Sequence, residues 1–241
     1  MDLVCAAIPA ERERKNMAVT LRREKLSVSD FTGTQTIIVT EKLGALPKKR
    51  GYRFFKRLFD FFAALFVLIL LILPILLLLP VVWIDTKGSP IYRQKRLGLN
   101  GKPFTLLKIR SMRADAERNG AQWAASDDPR ITKIGRILRA TRMDELPQMW
   151  NILLGQMSFV GPRPERPEFY DAFDTYIDGF RQRLVVKPGL TGHAQVNGGY
   201  DLLPEEKIVY DLEYIKNRSF CFDMKCIWQT IAVIFKREGA H

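Results

Sequence analysis

The chain has 241 residues, 38 of them Lys or Arg against 26 Asp or Glu, for a formal net charge of +12. That balance calls for an anionic partner, whether lipid headgroups, phosphorylated substrates or nucleic acid. Two histidines (His193, His241) exclude a histidine-based metal cluster, and Cys5, Cys221 and Cys226, without a CxxC spacing, exclude a zinc ribbon or a disulfide frame. Residues 1–50 read as a flexible extension, with Thr34–Val39 as one short candidate strand. Tyr52–Asp60 is basic and aromatic, which suits a membrane interface.

From Phe61 to Ile84 there are about 24 residues without a charge, longer than the roughly 20 a membrane helix needs. Both flanks are basic. Lys42, Lys48, Lys49, Arg50, Arg53, Lys56 and Arg57 precede the run, and Lys87, Arg93, Lys95, Arg96, Lys102, Lys108, Arg110 and Arg113 follow it. Such residues stay cytoplasmic, so a straight span would strand one flank outside. Pro74 divides the run into arms Phe61–Leu73 and Ile75–Ile84, each roughly 15–20 Å and too short for a core of about 30 Å. A re-entrant helix broken at Pro74 is expected, with a proline-kinked span as the alternative. The run lies behind a polar stretch, which makes it an anchor and not a cleaved signal.

Beyond the anchor, Pro90–Arg93 and Pro103–Lys108 flank a loop rich in Gly98, Asn100 and Gly101, the pattern of a β-hairpin. Arg113–Trp123 is helical in pattern, and Ser126–Pro129 reads as a turn. Ile131, Ile134, Ile137 and Leu138 then share one face of a helix reaching about Arg142. Asp144 is placed to N-cap the next helix, with Pro147 in its first turn and Gly155 past its end. Pro188-Gly189 fits the centre of a type II turn. Glu205–Ile215 and Asp223–Phe235 read as two helices. In the second, Ile227, Trp228, Ile231, Ile234 and Phe235 form an apolar stripe for the core or for a membrane surface.

The densest chemistry lies between Arg139 and Pro164. Asp144 and Glu145 are adjacent carboxylates at an expected helix start, where free N–H groups keep Asp144 ionised as a nucleophile or metal ligand. Paired carboxylates with substrate phosphates are a usual way to hold Mg²⁺, and carboxylates form covalent phosphoryl intermediates. Arg139 and Arg163, the latter locked between Pro162 and Pro164, suit phosphate binding. Lys108 and Arg110 alternate toward one face, as a diphosphate would need. Gln195 and Asn197, among glycines, are candidates for nucleotide or sugar contacts. A satisfied cap, an ion-paired loop or a solvated strand face would explain each motif taken alone. No helix-turn-helix, zinc-finger or aromatic RNA-binding signature is present, so nucleic acid is not the expected partner.

Taken in order, KRLFD at Lys56–Asp60, the proline-bearing anchor, YRQKRLGLNGKPFTLLKIRSM at Tyr92–Met112 and DPRITKIGRILR at Asp128–Arg139 resemble one family. DELPQMWNILLGQMSFVGPRP at Asp144–Pro164 and KPGLTGHAQVNG at Lys187–Gly198 continue the match. It is the bacterial sugar transferases, small monotopic polyprenyl-phosphate phosphoglycosyl transferases. The resemblance implies an α+β fold: a mostly helical cytosolic domain (85–241) with a small hairpin, on a proline-broken re-entrant helix (51–84), behind the extension (1–50). It implies transfer of a sugar 1-phosphate from a nucleoside-diphosphate sugar, UDP-linked by expectation, to polyprenyl phosphate at the cytoplasmic face of the bacterial inner membrane. Asp144 would be the nucleophile, Glu145 and Mg²⁺ its support, and Arg139, Arg163, Lys108 and Arg110 the phosphate contacts. A homodimer is left open. A non-catalytic basic scaffold and a glycosyltransferase releasing UDP are the competing readings. The chain departs from many members at Arg142-Met143, His193 and Gly199, positions that bear on the sugar and the base.

Overall fold

In the computed structural model, residues 38–118, 128–198 and 202–236 are described. The N-terminal extension up to residue 37, the turn expected at Ser126–Pro129 save its last two residues, Gly199, Cys5 and His241 lie outside them. The chain enters by a two-residue strand, β1 (Ile38–Val39), and then forms α1 (Arg50–Thr86), 37 residues in one helix. Pro74 and Pro80 both lie inside α1, so the expected break at Pro74 is not a break in the helix. A proline removes one hydrogen bond and bends a helix without necessarily ending it. By length and composition α1 is apolar enough to cross a membrane. Between Leu65 and Leu77 most large side chains, among them Phe66, Ile69, Leu70 and Leu73, face outward, as a lipid-facing segment requires, while Ile75 is buried.

The hairpin is present and longer than read. β2 (Ile91–Leu97) pairs antiparallel with β3 (Pro103–Ile109), Ile91 opposite Ile109 and Leu97 opposite Pro103. Its turn holds Asn100 and Gly101 at positive φ (55° and 72°), the conformation these residue types tolerate best. The helix expected from Arg113 begins instead as turns at Ala114–Arg118, closed by bonds such as Ala116 N–H to Arg113 O; its remainder lies outside the described residues. α2 (Lys133–Ala140) starts where the Thr132 hydroxyl accepts from Gly135 N–H at 2.9 Å.

Asp144 does not cap a helix. It sits inside a single 3₁₀ turn, Met143–Glu145, and α3 (Gln148–Leu153) starts only after Pro147. Proline's fixed φ sets that later start. β4 (Ser158–Val160) follows, then α4 (Pro167–Asp174) and β5 (Ile177–Asp178), which pairs parallel with β1. A second 3₁₀ stretch (Phe180–Val185) leads to β6 (Gly189–Thr191), parallel to β4. The type II turn read at Pro188-Gly189 is absent: Gly189 opens β6 and is not among the positive-φ glycines. The requirement there is space, since a Cβ on Gly189 would lie 2.1 Å from Gly161 N. A short α5 (His193–Asn197) precedes α6 (Pro204–Asn217) and α7 (Phe220–Lys236), the two helices expected at the C-terminus.

Three apolar clusters hold these elements. The largest joins α4, the 3₁₀ stretch, α6 and α7 through Tyr170, Phe173, Phe180, Ile208, Ile215 and Cys226. A second packs Ala64 of α1 against Phe104 and Leu106 of β3 and Met149 and Ile152 of α3. The third packs Val82, near the far end of α1, against Ile109 and Leu138. The C-terminal stripe divides between core and outside. Ile227 packs on the largest cluster while Trp228 stands 69% exposed.

Candidate active site

β3 delivers Lys108, the 3₁₀ turn delivers Asp144 and Glu145, and the loop after β4 delivers Arg163. Asn151 of α3 fixes the first two together: its Oδ1 accepts from Leu107 N–H (3.1 Å) and its Nδ2 donates to Thr105 O (2.7 Å). Buried in the α3–β3 seam, Asn151 sets the height of β3 against the turn. Arg142 turns the chain between α2 and the 3₁₀ turn at φ 58°, the left-handed region.

At the centre Glu145 Oε1 accepts from Arg163 Nη2 at 2.7 Å and from Lys108 Nζ at 3.2 Å. Asp144 and Glu145 are each only 6% exposed, yet their surroundings drive them in opposite directions. Burial alone would raise the Glu145 carboxyl, but Arg163, Lys108 and Arg142 outweigh it and hold the group well below the usual carboxylate range. For Asp144 burial prevails. Its pKa is raised from 3.8, with Glu145 adding repulsion and Lys108, Arg139 and Arg163 pulling the other way. Asp144 thus lacks the helix N-terminus that was expected to favour its ionised form, and burial works against that form. Among the described residues no hydrogen bond or ion pair ties down its carboxylate, which leaves the oxygens open to a ligand.

Arg139 projects from α2 and donates through Nε to Ser111 Oγ at 2.9 Å. That contact depends on Gly135, where a Cβ would lie 1.9 Å from Ser111 O. Arg163 is braced through its backbone: Arg183 Nη2 donates to Arg163 O at 3.0 Å, and Arg183 is itself buried on Asp211 at 2.7 Å. Next to it Arg96 donates to Pro164 O at 2.9 Å.

Among the described residues, the remaining candidates make no hydrogen bond to Asp144 or Glu145. Arg110 falls just past the end of β3, donates to Ser89 O at 2.7 Å and rests over the Tyr92 ring. Gln195 donates to Leu190 O (2.8 Å), and Asn197 donates to His193 O (2.7 Å), both within or beside α5. Neither bond reaches the carboxylate pair.

Two residues of the site's frame, both in the KRLFD segment, had no role assigned from the sequence. Arg57 of α1 donates to Ile152 O (2.7 Å) and Leu153 O (2.6 Å), the last carbonyls of α3. A cation there is favoured by the helix dipole. Asp60 accepts from Ser158 Oγ (3.1 Å) and Phe159 N–H (3.0 Å) at the start of β4. So α1 grips both strips of chain that present the site, α3 behind Glu145 and β4 ahead of Arg163. The available signal was an acid abutting an apolar run, since a charge at that point needs a partner. Gln148, buried at the start of α3, keeps an Nε2 without a hydrogen-bond partner among the described residues, an unused donor close in sequence to Asp144.

Asp144 and Glu145 fit a hard divalent cation in one specific sense. Among the described residues no group of three or more His, Cys, Asp or Glu converges, so a cation would need oxygens from a substrate. Mg²⁺ is commonly held by one or two carboxylates and substrate phosphates.

The family profile "Bacterial sugar transferase" matches residues 51–237. The chain is 39% identical over 204 residues to the UDP-N-acetylgalactosamine-undecaprenyl-phosphate N-acetylgalactosaminephosphotransferase of Aeromonas hydrophila, covering 83% of this chain and 48% of that protein. It is 48% identical over 137 residues to a putative undecaprenyl-phosphate N-acetylgalactosaminyl 1-phosphate transferase of Bacillus subtilis, covering 57% and 76%. It is 41% identical over 192 residues to the UDP-glucose:undecaprenyl-phosphate glucose-1-phosphate transferase of Klebsiella pneumoniae, covering 78% and 41%. The chain therefore spans less than half the length of the Aeromonas and Klebsiella proteins, and the sugars in these names differ.

Proposed function

The chain belongs to the bacterial sugar transferase family, and from that premise we propose that it moves a sugar 1-phosphate from a UDP-sugar to undecaprenyl phosphate. The observation that carries this reading is the pair Asp144–Glu145, buried among Lys108, Arg139 and Arg163 beside an apolar helix. A carboxylate oxygen of Asp144 attacks the β-phosphorus of the donor. The bond from that phosphorus to the bridging oxygen breaks, and UMP leaves with the electron pair. A phosphosugar remains on Asp144. An oxygen of the polyprenyl phosphate then attacks the same phosphorus, the carboxylate departs, and a polyprenyl-diphosphate-linked sugar is formed. Splitting one transfer into two gives each step a modest barrier.

The residues have separable tasks. Arg163 and Lys108, positioned by Glu145, stand where charge gathers on the transferring phosphoryl oxygens. Arg139, turned by Ser111, adds a third cation. A divalent cation beside Asp144 would offset its raised pKa, as Lys108, Arg139 and Arg163 already do in part, and so favour the ionised nucleophile. Mg²⁺, held by Asp144 and Glu145, would neutralise part of the diphosphate charge.

A re-entrant α1 is supported by its two ends. Arg57, Asp60 and Ala64 pack on α3, β3 and β4, while Val82 meets Ile109 and Thr86 O accepts from Ala114 N–H at 3.2 Å. Both ends thus rest on one domain. A straight helix from Ala64 to Val82 would measure about 27 Å, whereas their β3 partners Phe104 and Ile109 lie about 17 Å apart along the strand. A bend at Pro74 or Pro80 would reconcile the two lengths. Labelling cysteines placed near residues 50 and 90 from outside intact cells tests this, and both should be protected; opposite accessibility would restore a spanning helix.

The identity of the released nucleotide tests the chemistry. Purified protein with Mg²⁺, undecaprenyl phosphate and a panel of UDP-sugars should release UMP with at least one donor. Release of UDP would indicate an ordinary glycosyltransferase, and release of neither across the panel a scaffold.

A further inference from the structure

A groove unconnected with the carboxylate pair opens between the first turns of α1 and the corner joining α6 to α7. Its volume is about 740 Å³, within the range of pockets that hold one small molecule. The groove is ordered by polarity. Lys49, Tyr52, Arg218 and Ser219 line one end, and Phe59, Phe62 and Ala63 lie toward the other. That order follows α1 from its basic start at Arg50 into the apolar run. Phe55 and Phe62 on its wall are more than half exposed, so the groove opens sideways.

The polar end has unspent capacity. Lys49 Nζ donates one hydrogen bond, to Arg218 O at 2.8 Å, out of three it can make. Arg218, mostly buried behind it, bonds the Ile215 and Pro47 carbonyls. Ser219 precedes α7, its hydroxyl accepting from Phe222 N–H, and Asp223 already complements the positive end of that helix. Arg50 and Arg53 lie exposed nearby in sequence. None of Lys108, Arg139, Asp144, Glu145 or Arg163 lines the groove, so a phosphate held at Lys49 would not be the reacting one.

We propose that this groove binds one membrane phospholipid with an acidic headgroup. The headgroup phosphate sits at Lys49 and Arg218, and an acyl chain lies along Phe59, Phe62 and Ala63. The lipid also covers Tyr52, whose hydroxyl donates to buried Asp223 at 2.8 Å beside Lys56. It thereby braces the angle at which α1 leaves the domain. The inference rests on the membrane placement of α1 and not on the chemistry of Asp144.

The test uses the full chain in detergent with an equimolar mixture of phosphatidylglycerol and phosphatidylcholine, read by native mass spectrometry. One phosphatidylglycerol should stay bound in preference to phosphatidylcholine. Lys49→Ala should weaken retention about fivefold, the worth of one basic residue at a lipid surface. Ala63→Trp fills the apolar end without changing charge and should abolish it. Asp144→Asn should retain lipid like the wild type, which separates this claim from the transfer reaction. Equal retention of the two lipids, or unchanged retention in folded Ala63→Trp, overturns the proposal. So does displacement of the lipid by one equivalent of undecaprenyl phosphate, which would make the groove the acceptor's. Should Ala63→Trp fail to fold, a photoactivatable phosphatidylglycerol must label Phe55–Ala63 in the unaltered protein; label elsewhere only also overturns it.

Discussion

Arg57→Ala removes two charge-assisted hydrogen bonds, at 2.7 and 2.6 Å, from the carbonyl end of α3. Hydrogen bonds to charged groups contribute about 1.5–3 kcal/mol each in favourable settings. Arg57 is half-buried and water can replace part of what is lost, so a total of about 2 kcal/mol is the reasonable expectation. The loss should be local. α3 would shift against α1, and the turn bearing Asp144 and Glu145 moves with it, because only Leu146 and Pro147 separate them. A displacement near 1 Å can cost about 100-fold in rate. Arg57→Lys can keep one of the two bonds and should fall between. The assay pairs thermal unfolding with UMP release in the same detergent, at saturating donor. Transfer in Arg57→Ala should fall by about ten- to a hundredfold while the fold persists below a lowered Tm. Wild-type rate and Tm in Arg57→Ala would refute the idea that α1 positions the site through this contact.

The carboxylate pair yields two further expectations. Glu145→Gln leaves Arg163 and Lys108 without their shared anion and should destabilise by about 2 kcal/mol; the usual range for broken buried pairs is higher, but both cations keep about a fifth of their side-chain surface in water. Its effect is pH-dependent: the lowered Glu145 pKa gives stability that is complete above the unfolded value of 4.5 and is lost as pH falls toward the folded one. Asp144 carries the opposite sign. Its raised pKa means that the folded state holds a proton the unfolded state has released, so stability falls as pH rises from 3.8 to the folded value. Asp144→Asn should therefore gain in Tm over the wild type across that window and keep the gain above it, as unfolding curves from about pH 4 to pH 8 would show. A gap of the opposite sign would mean that the cations, not burial, govern this side chain.

What the sequence disclosed depended on the range of the contact. The hairpin was legible because alternation and the Gly98–Gly101 loop are local signals, and α6 and α7 because their apolar periodicity is long. Lys108 and Arg163 were read as phosphate contacts; that both bond Glu145 was not visible in the sequence. Nor were the partners of Arg57, Asp60 and Arg183, which lie 95, 98 and 28 residues away on other elements. β1 was half visible as a strand, yet its partner β5 is two residues long and has no pattern. The placement of Asp144 at a helix cap failed for a definable reason: Pro147 sets the start of α3, and Asp144 closes an earlier turn. That difference sets the direction of its pKa, because a cap would have offered N–H groups whereas the turn offers burial. Arg110 was grouped with Lys108 by alternation, but β3 ends at Ile109 and the side chain turns to Ser89.

The central claim concerns a bond between Asp144 and phosphorus. Incubating the protein with a radiolabelled UDP-sugar and Mg²⁺, without undecaprenyl phosphate, should trap the phosphosugar on the peptide that contains Asp144. The label should vanish in Asp144→Asn and be chased into lipid when undecaprenyl phosphate is added. Turnover in the wild type with no adduct at Asp144, or with the adduct on another side chain, would contradict the account.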